Sequence, residues 1–230
     1  TCALPIWISG IFETLGSLMV LRDKNDMEIH FSGIRGNLQK PFKPSEIRIK
    51  GWRIGFIAAT QFLNGYIRTP YVNIIDYNYK AEAEAFLSAL QEYSGEYDLL
   101  IVSYHAGGEY LLEPEPEKAS FFRAMVDAGA DIVYGHHPHV MQPFERIVKG
   151  GQEKLIMHSM GNFISGQRWT DEPYSLDHYR SYTGDSIILE TTARKTDDGV
   201  SVFVHNVVFI TNFINENNEV IILPYQEALS

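Results

Sequence analysis

The spacing of apolar residues changes period along the chain. Ile11, Leu15, Leu18 and Val20 recur at helical intervals after Gly10 and predict a short amphipathic helix. MEIHFSGI, 27–34, reads as a strand. EIRIKGWRIGFIAAT, 46–60, alternates and then runs continuously apolar. That pattern predicts a hairpin turning at Gly51-Trp52, with a second strand covered on both faces. Residues 61–77 carry the breakers Gly65 and Pro70 and predict a long loop.

A strand–helix rhythm follows. Residues 78–95 predict a helix with Phe86, Leu90 and Tyr93 on one face and Gly95 as its stop. DLLIVSYH, 98–105, is a buried strand ending at His105, and 106–116 is a loop. Residues 117–130 predict a second helix with Phe121, Met125 and Ala128 inward, and DIVYG, 131–135, is the next strand. Strand–helix–strand units of this length imply parallel pairing through right-handed crossovers. Beyond residue 143 only strands are predicted. Hairpins fall at 144–159, about Gly150-Gly151, and at 185–212, turning near Asp198-Gly199; NEVIILPY, 218–225, adds a last strand. Residues 164–184 are polar and aromatic and predict a surface loop. The expected class is α/β, with βα units followed by β-hairpins, in one domain over 7–230. Residues 1–6, TCALPI, lead into no element. They read as the translated end of a sequencing adapter and are set aside.

Composition narrows the partners. A hydrophobic fraction of 45% supports a sizeable core. A net charge of −10 argues against a nucleic-acid backbone, which needs a basic counter-surface. No apolar run approaches the roughly 20 residues that span a bilayer. Cys2 is the only cysteine, so neither a disulfide framework nor a thiolate metal cluster is available.

The histidines change the picture most. VYGHHPHVMQPFE, 133–145, holds three of the chain's eight histidines within four residues, and it follows a predicted strand at once. His105 ends the preceding strand. In open α/β sheets ligands sit beyond the carboxyl ends of the strands, so two successive strands deliver histidines to one edge. Imidazole suits Zn, Mn, Fe or Ni, and Pro138 stiffens the link between His137 and His139. Glycines 107 and 108 let the backbone pass close to a ligand. A lone strand-end histidine is more often a hydrogen-bonded structural residue, and the pairing with the cluster raises the metal reading above that one. His30, His158, His178 and His205 have no partner in spacing and are read as structural.

IVSYHAGGEY, AGADIVYGHHPHVMQPFE and MHSMGNFI together resemble the bacterial capsule-synthesis CapA family, the poly-gamma-glutamate capsule proteins. Weaker likeness reaches back through IKGWRIGFIAAT to about residue 10. The resemblance implies a metallo-dependent phosphatase-like α/β sandwich. It implies metal ligands at His105, His137 and His139, with His136 at the variable position of the family's Gly-x-His-Pro-His motif. It also carries over Glu109, Glu145 and the Gly161-Asn162-Phe163 turn as residues lining or supporting the site. Ala106 stands where the family usually has tryptophan. The family's Gly-Asp, Asn-x-Glu and Asn-Asn-His motifs have no counterpart in 7–60, because Asp23, Asp26 and Asn37 have the wrong surroundings. The chain is therefore expected to be the C-terminal part of a longer protein, holding about half of the metal site and inactive by itself.

By that resemblance the whole protein uses two divalent ions (Mn, Zn or Fe) that clamp the oxygens of a displacement and activate water. It is then a metal-dependent hydrolase of the phosphoesterase kind, with His136 as the group that protonates a leaving group. Its substrate would be a small molecule or an anionic polymer, poly-gamma-glutamate or cell-wall material. Its place would be the extracytoplasmic cell envelope, with membrane contact only through an upstream anchor. The alternative is a non-catalytic envelope protein that binds or tethers an anionic polymer, since fold likeness does not settle function.

Overall fold

A computed structural model describes residues 8–25, 28–35, 41–65, 68–167, 180 and 182–228. The segment TCALPI, Asp26 and Asn37, and most of the predicted surface loop at 164–184 lie outside the described residues.

Six strands form the main sheet. They are β1 (Ser45–Ile49), β2 (Trp52–Thr60), β3 (Leu99–His105), β4 (Ile132–His136), β5 (Phe144–Lys149) and β6 (Gln152–Met157). Their spatial order is β1-β2-β3-β4-β6-β5, parallel from β2 through β6 and antiparallel at both edges. Helix α1 is Ile8–Asn25; α2 (Lys80–Ser94) links β2 to β3, and α3 (Pro116–Asp127) links β3 to β4. A second sheet holds β7 (Asp185–Thr196), β8 (Gly199–Ile214) and β9 (Val220–Pro224), all antiparallel, and a short helix α4 (Tyr225–Ala228) follows.

Alternation along the parallel strands sorts side chains into two cores. Leu100, Val102, Tyr104, Val133 and Ile156 meet Phe86 and Leu90 of α2 and Phe121, Phe122 and Met125 of α3. Leu99, Ile101, Ile132, Tyr134, Leu155 and Met157 face the second sheet at Ile187, Val200 and Val202. Each large apolar side chain removed from water contributes about 1.5–3 kcal/mol. These seams therefore outweigh the exposed ion pairs, worth about 0–1 kcal/mol each. Below the sheet, buried Asp131 accepts the Leu100 N–H at 2.7 Å and pairs with Lys154, which also donates to the Val200 carbonyl at 2.9 Å.

Three expectations are revised. The first hairpin turns at Lys50-Gly51, both with positive φ, and Ile49 pairs with Trp52; a two-residue turn of that hand matches strand twist. The stretch 28–35 is not a strand, although 27–34 alternates like one. β2 already has β1 and β3 as neighbours, so this segment docks by scattered bonds: Ser32 Oγ accepts the Ala58 N–H, and Gly33 O accepts the Asn73 N–H. Helix α1 is longer than predicted, and Val20 is exposed while Ile11 is buried. Helices α2 and α3 and the remaining strands and hairpins fall where the pattern put them, while α4 was not predicted.

Gly135, near the end of β4, sits where no side chain fits. A Cβ there would lie 2.2 Å from the His158 carbonyl oxygen and 2.6 Å from the Phe122 ring. Gly135→Ala should cost about 2–4 kcal/mol through overpacking, read as a lowered midpoint in denaturant unfolding.

Candidate metal centre

Parallel register builds the floor of the site. Thr60 pairs with His105, and His105 with His136, so three adjacent strands end side by side. The Thr60 hydroxyl donates to Phe62 O at 2.7 Å, and its oxygen lies 3.0 Å from His105 Nδ1. A hydroxyl has one hydrogen, so Nδ1–H of His105 donates to Thr60 and Nε2 carries the lone pair. His136 Nε2 lies 3.1 Å from Ser103 Oγ. A pocket of about 270 Å³ opens against Thr60, Ser103, His105 and His136.

The loop after β4 turns sharply. His137 has φ +106° and His139 φ +62°, with Pro138 between them, and Tyr110 in the facing loop has φ +65°. Non-glycine residues in that region persist only where the surroundings hold them, and such strain gathers at functional sites. The Tyr110 N–H donates to Pro138 O at 2.8 Å. The Gly108 N–H donates to Glu115 Oε1 at 2.6 Å, and the Gly107 N–H to Gln61 Oε1 at 3.1 Å. Lys118 of α3 is fully buried, and its ammonium donates to Gln142 Oε1 at 2.9 Å; Gln142 in turn donates to Leu111 O at 2.8 Å. Helix α3 thereby fastens both loops.

Glu109, His137 and His139 converge, with one donor atom of each lying within 4.8 Å of the others. His139 is oriented from behind. Asn162 Nδ2 donates to Thr183 O at 2.9 Å and to Gln167 O at 3.3 Å, which fixes the amide. Its Oδ1 therefore accepts Nδ1–H of His139 at 3.0 Å, leaving Nε2 for a ligand. Gly161 makes this possible: its φ is +80°, and a Cβ there would lie 2.4 Å from Asp185 O. The His137 Nδ1 is buried with no hydrogen-bond partner. The His105 and His137 rings are 4.4 Å apart, and Phe62 meets both edge-on.

Burial is the first cause of every pKa shift among these imidazoles. It pushes His105 down to about 3, helped by the neighbouring histidines, and His136 down to about 4, helped by His137 and Lys118. His137 is lowered for the same reason. Burial also pushes Lys118 down to about 8. His105 and His136 are thus neutral at physiological pH, as metal ligands must be.

The predicted residues divide in space. His105, His136, His137 and His139 lie together, with Glu109 facing the last two and Asn162 behind. Glu145 is engaged elsewhere: Arg123 holds both its oxygens, at 2.8 and 2.9 Å, and His158 Nε2 lies 2.6 Å from Oε1. Burial alone would raise the Glu145 carboxyl, but those partners hold it below the usual range. His158 has a partner after all. The β5–β6 hairpin sets Glu145 opposite Ile156, two residues before His158, so the register carried that signal. Thr60 and Lys118 support the site without any motif of their own, and Gln142 supports it from within the 133–145 motif.

Residues 8–167 match the family described as bacterial capsule synthesis protein PGA_cap. The chain belongs to this family. The metallophosphatase-like fold of PGA_cap proteins accounts for the βα units and the helix-covered main sheet. Over 106 residues the chain is 39% identical to the capsule biosynthesis protein CapA of Bacillus anthracis, covering 46% of this chain and 25% of the relative. Over 90 residues it is 42% identical to the PGA biosynthesis protein CapA of Bacillus subtilis (strain 168), covering 39% of this chain and 23% of that protein. The shared stretch is thus about a quarter of either relative. The solved structure of GAP50, the anchor in the inner membrane complex of Plasmodium, overlaps 78% of this chain and 51% of its own at 16% identity. Its TM-score is 0.31. Among the described residues no helix is long and apolar enough to cross a membrane.

Two outcomes follow from this geometry. Asn162→Ala should weaken Mn²⁺ or Zn²⁺ affinity about 10–100-fold in calorimetric titration, because His139 loses its orienting acceptor. The metal-free protein should lose stability as pH falls from about 6.5 towards about 4. Folded His136 protonates only near 4 and His105 near 3, so the unfolded state binds more protons across that window. Thermal unfolding at stepped pH reads this as a falling midpoint.

Proposed function

We propose that this PGA_cap protein is a capsule-biosynthesis hydrolase acting on a phosphoester or related anionic substrate with a divalent ion at Glu109, His137 and His139. The convergence of those three donors within 4.8 Å carries the reading. The donor set fits Mn²⁺, Zn²⁺ or Fe²⁺, which accept mixed imidazole and carboxylate ligands. The buried, unpartnered His137 Nδ1 fits it too, since buried polar atoms in native proteins rarely go unsatisfied. When bound, such an ion supplies Lewis acidity and makes water nucleophilic near neutral pH.

The chain's own residues supply the rest. His105, with its Nε2 lone pair directed by Thr60, is the candidate ligand for a second ion. His136, neutral at pH 7, is the candidate for moving a proton to or from the substrate. The strained loops hold the ligands at fixed spacing, which favours a preorganised site. We propose poly-gamma-glutamate or other envelope material as the substrate and the cell envelope as the place of action, a reading supported by relatives named for capsule and PGA biosynthesis.

The test uses the full-length gene product. Bound metal is measured by elemental analysis in the wild type, His137→Ala and His139→Ala, alongside turnover of a general phosphoester with added Mn²⁺. We expect metal to be lost from both variants and turnover to fall at least 100-fold. Unchanged metal content would sink the proposal, and polymer binding without turnover would favour the non-catalytic alternative.

A further inference from the structure

Arg35 is held from three sides. Its backbone N–H donates to Tyr71 O at 2.7 Å, and Ile34 bridges to Val72, so the residue is fixed beside the 71–73 segment. Asn73 is buried, and its Nδ2 donates to Ala58 O at 3.0 Å, which sets the amide. Its Oδ1 therefore accepts from Arg35 Nε at 2.6 Å. The guanidinium carbon lies 4.8 Å from the centre of the Phe42 ring. That ring is pinned in turn, edge-on to buried Phe86 with centroids 5.2 Å apart, from a backbone with φ +61° that a phenylalanine rarely adopts.

With Nε taken and one face on an aromatic ring, the terminal nitrogens are what Arg35 has left to offer. Among the described residues they meet no acceptor and no carboxylate. Burial lowers the guanidinium pKa, and no neighbouring charge offsets it. A partly desolvated cation without a counter-charge is costly, and its planar fork fits a carboxylate or phosphate through two parallel bonds. Arg35, Phe42, Lys43, His30 and Asn73 line one cavity of about 560 Å³. Glu28 lines it too, and its exposed carboxylate lies 3.2 Å from His30 Nε2. Two fixed cations against one carboxylate leave this lining positive on a chain whose net charge is −10. An anion approaching so acidic a protein needs such a local basic surface. The cavity shares its wall at 32–34 with the pocket against His105 and His136.

We propose that this cavity is an oxyanion site, in which the Arg35 fork grips a carboxylate or phosphate group and Lys43 adds charge beside it. None of Glu109, His137 and His139 takes part, so the site needs no metal ion. Asn73 and Phe42 are positioning residues. They hold the fork in place before a ligand arrives, which lowers the ordering cost of binding.

The experiment uses the full-length gene product after chelation, so that no bound ion competes for the anion. Wild type, Arg35→Lys and Lys43→Gln are titrated by calorimetry at low ionic strength with inorganic phosphate and with glutarate, and urea unfolding of each checks the fold. Arg35→Lys keeps the charge and loses the fork. Lys43 is exposed, so Lys43→Gln leaves the packing intact. We expect wild type to bind at least one anion, Arg35→Lys to bind it about 10-fold or more weakly, and Lys43→Gln about 2–5-fold more weakly. The phosphate and glutarate arms tell which oxyanion the cavity takes, and the loss in either supports the inference. An Arg35→Lys affinity within about twofold of wild type overturns it, as does the absence of binding by wild type. If Arg35→Lys does not fold, the Lys43→Gln titration decides, and an unchanged affinity there overturns the site. Failure of this inference leaves the metal centre standing, because the measurement is made without metal.

Discussion

The parallel ladder from β2 through β4 is the constraint on which the rest depends. Strand pairing in register sets Thr60, His105 and His136 abreast, and the chain then leaves each strand end in a different direction. A slip of one residue would turn every side chain to the other face. His105 and His136 would then point into the helix-side core, where Tyr104 and Gly135 now sit. The histidine geometry is thus a by-product of how Ile101, Val102, Ile132 and Val133 bury themselves, and the two hydrophobic cores hold it there.

Helix α3 answers a different need. The loops beyond β3 and β4 are short on regular structure, yet they carry Glu109, His137 and His139, with Tyr110, His137 and His139 at positive φ. A charged lysine at zero exposure is a costly way to brace them. The cost is tolerated because the Lys118 ammonium reaches Gln142, and Gln142 reaches the opposite loop, so one buried cation spans both. Its charge also lies near His136 and His137 and disfavours their protonation.

Much of this was legible in the chain itself. The helix and strand periods of 78–136 predicted the βα units, and VYGHHPHVMQPFE together with His105 marked the edge where histidines gather. Local pattern could not supply what depends on vacancy or register. The 27–34 stretch alternates like a strand, but β2 had no free edge for it. The partner of His158 appears only once Glu145 is placed opposite Ile156. The bracing by Lys118 gave no signal, because a lysine in an amphipathic helix ordinarily faces water. Asn162 was picked out through its motif, while its task of holding the His139 ring needed the fold.

The match to the PGA_cap family ends at residue 167, but the mechanical support of the site continues past it. Asn162 is pinned by the Thr183 carbonyl, and its own carbonyl accepts from Asn212 Nδ2 at 2.7 Å. Gly161 bridges to Ser186 on β7. The three-stranded sheet therefore works as a buttress for His139 from outside the recognised family segment. A domain boundary drawn where sequence similarity stops would cut through this support, even though every candidate ligand would remain on the retained side.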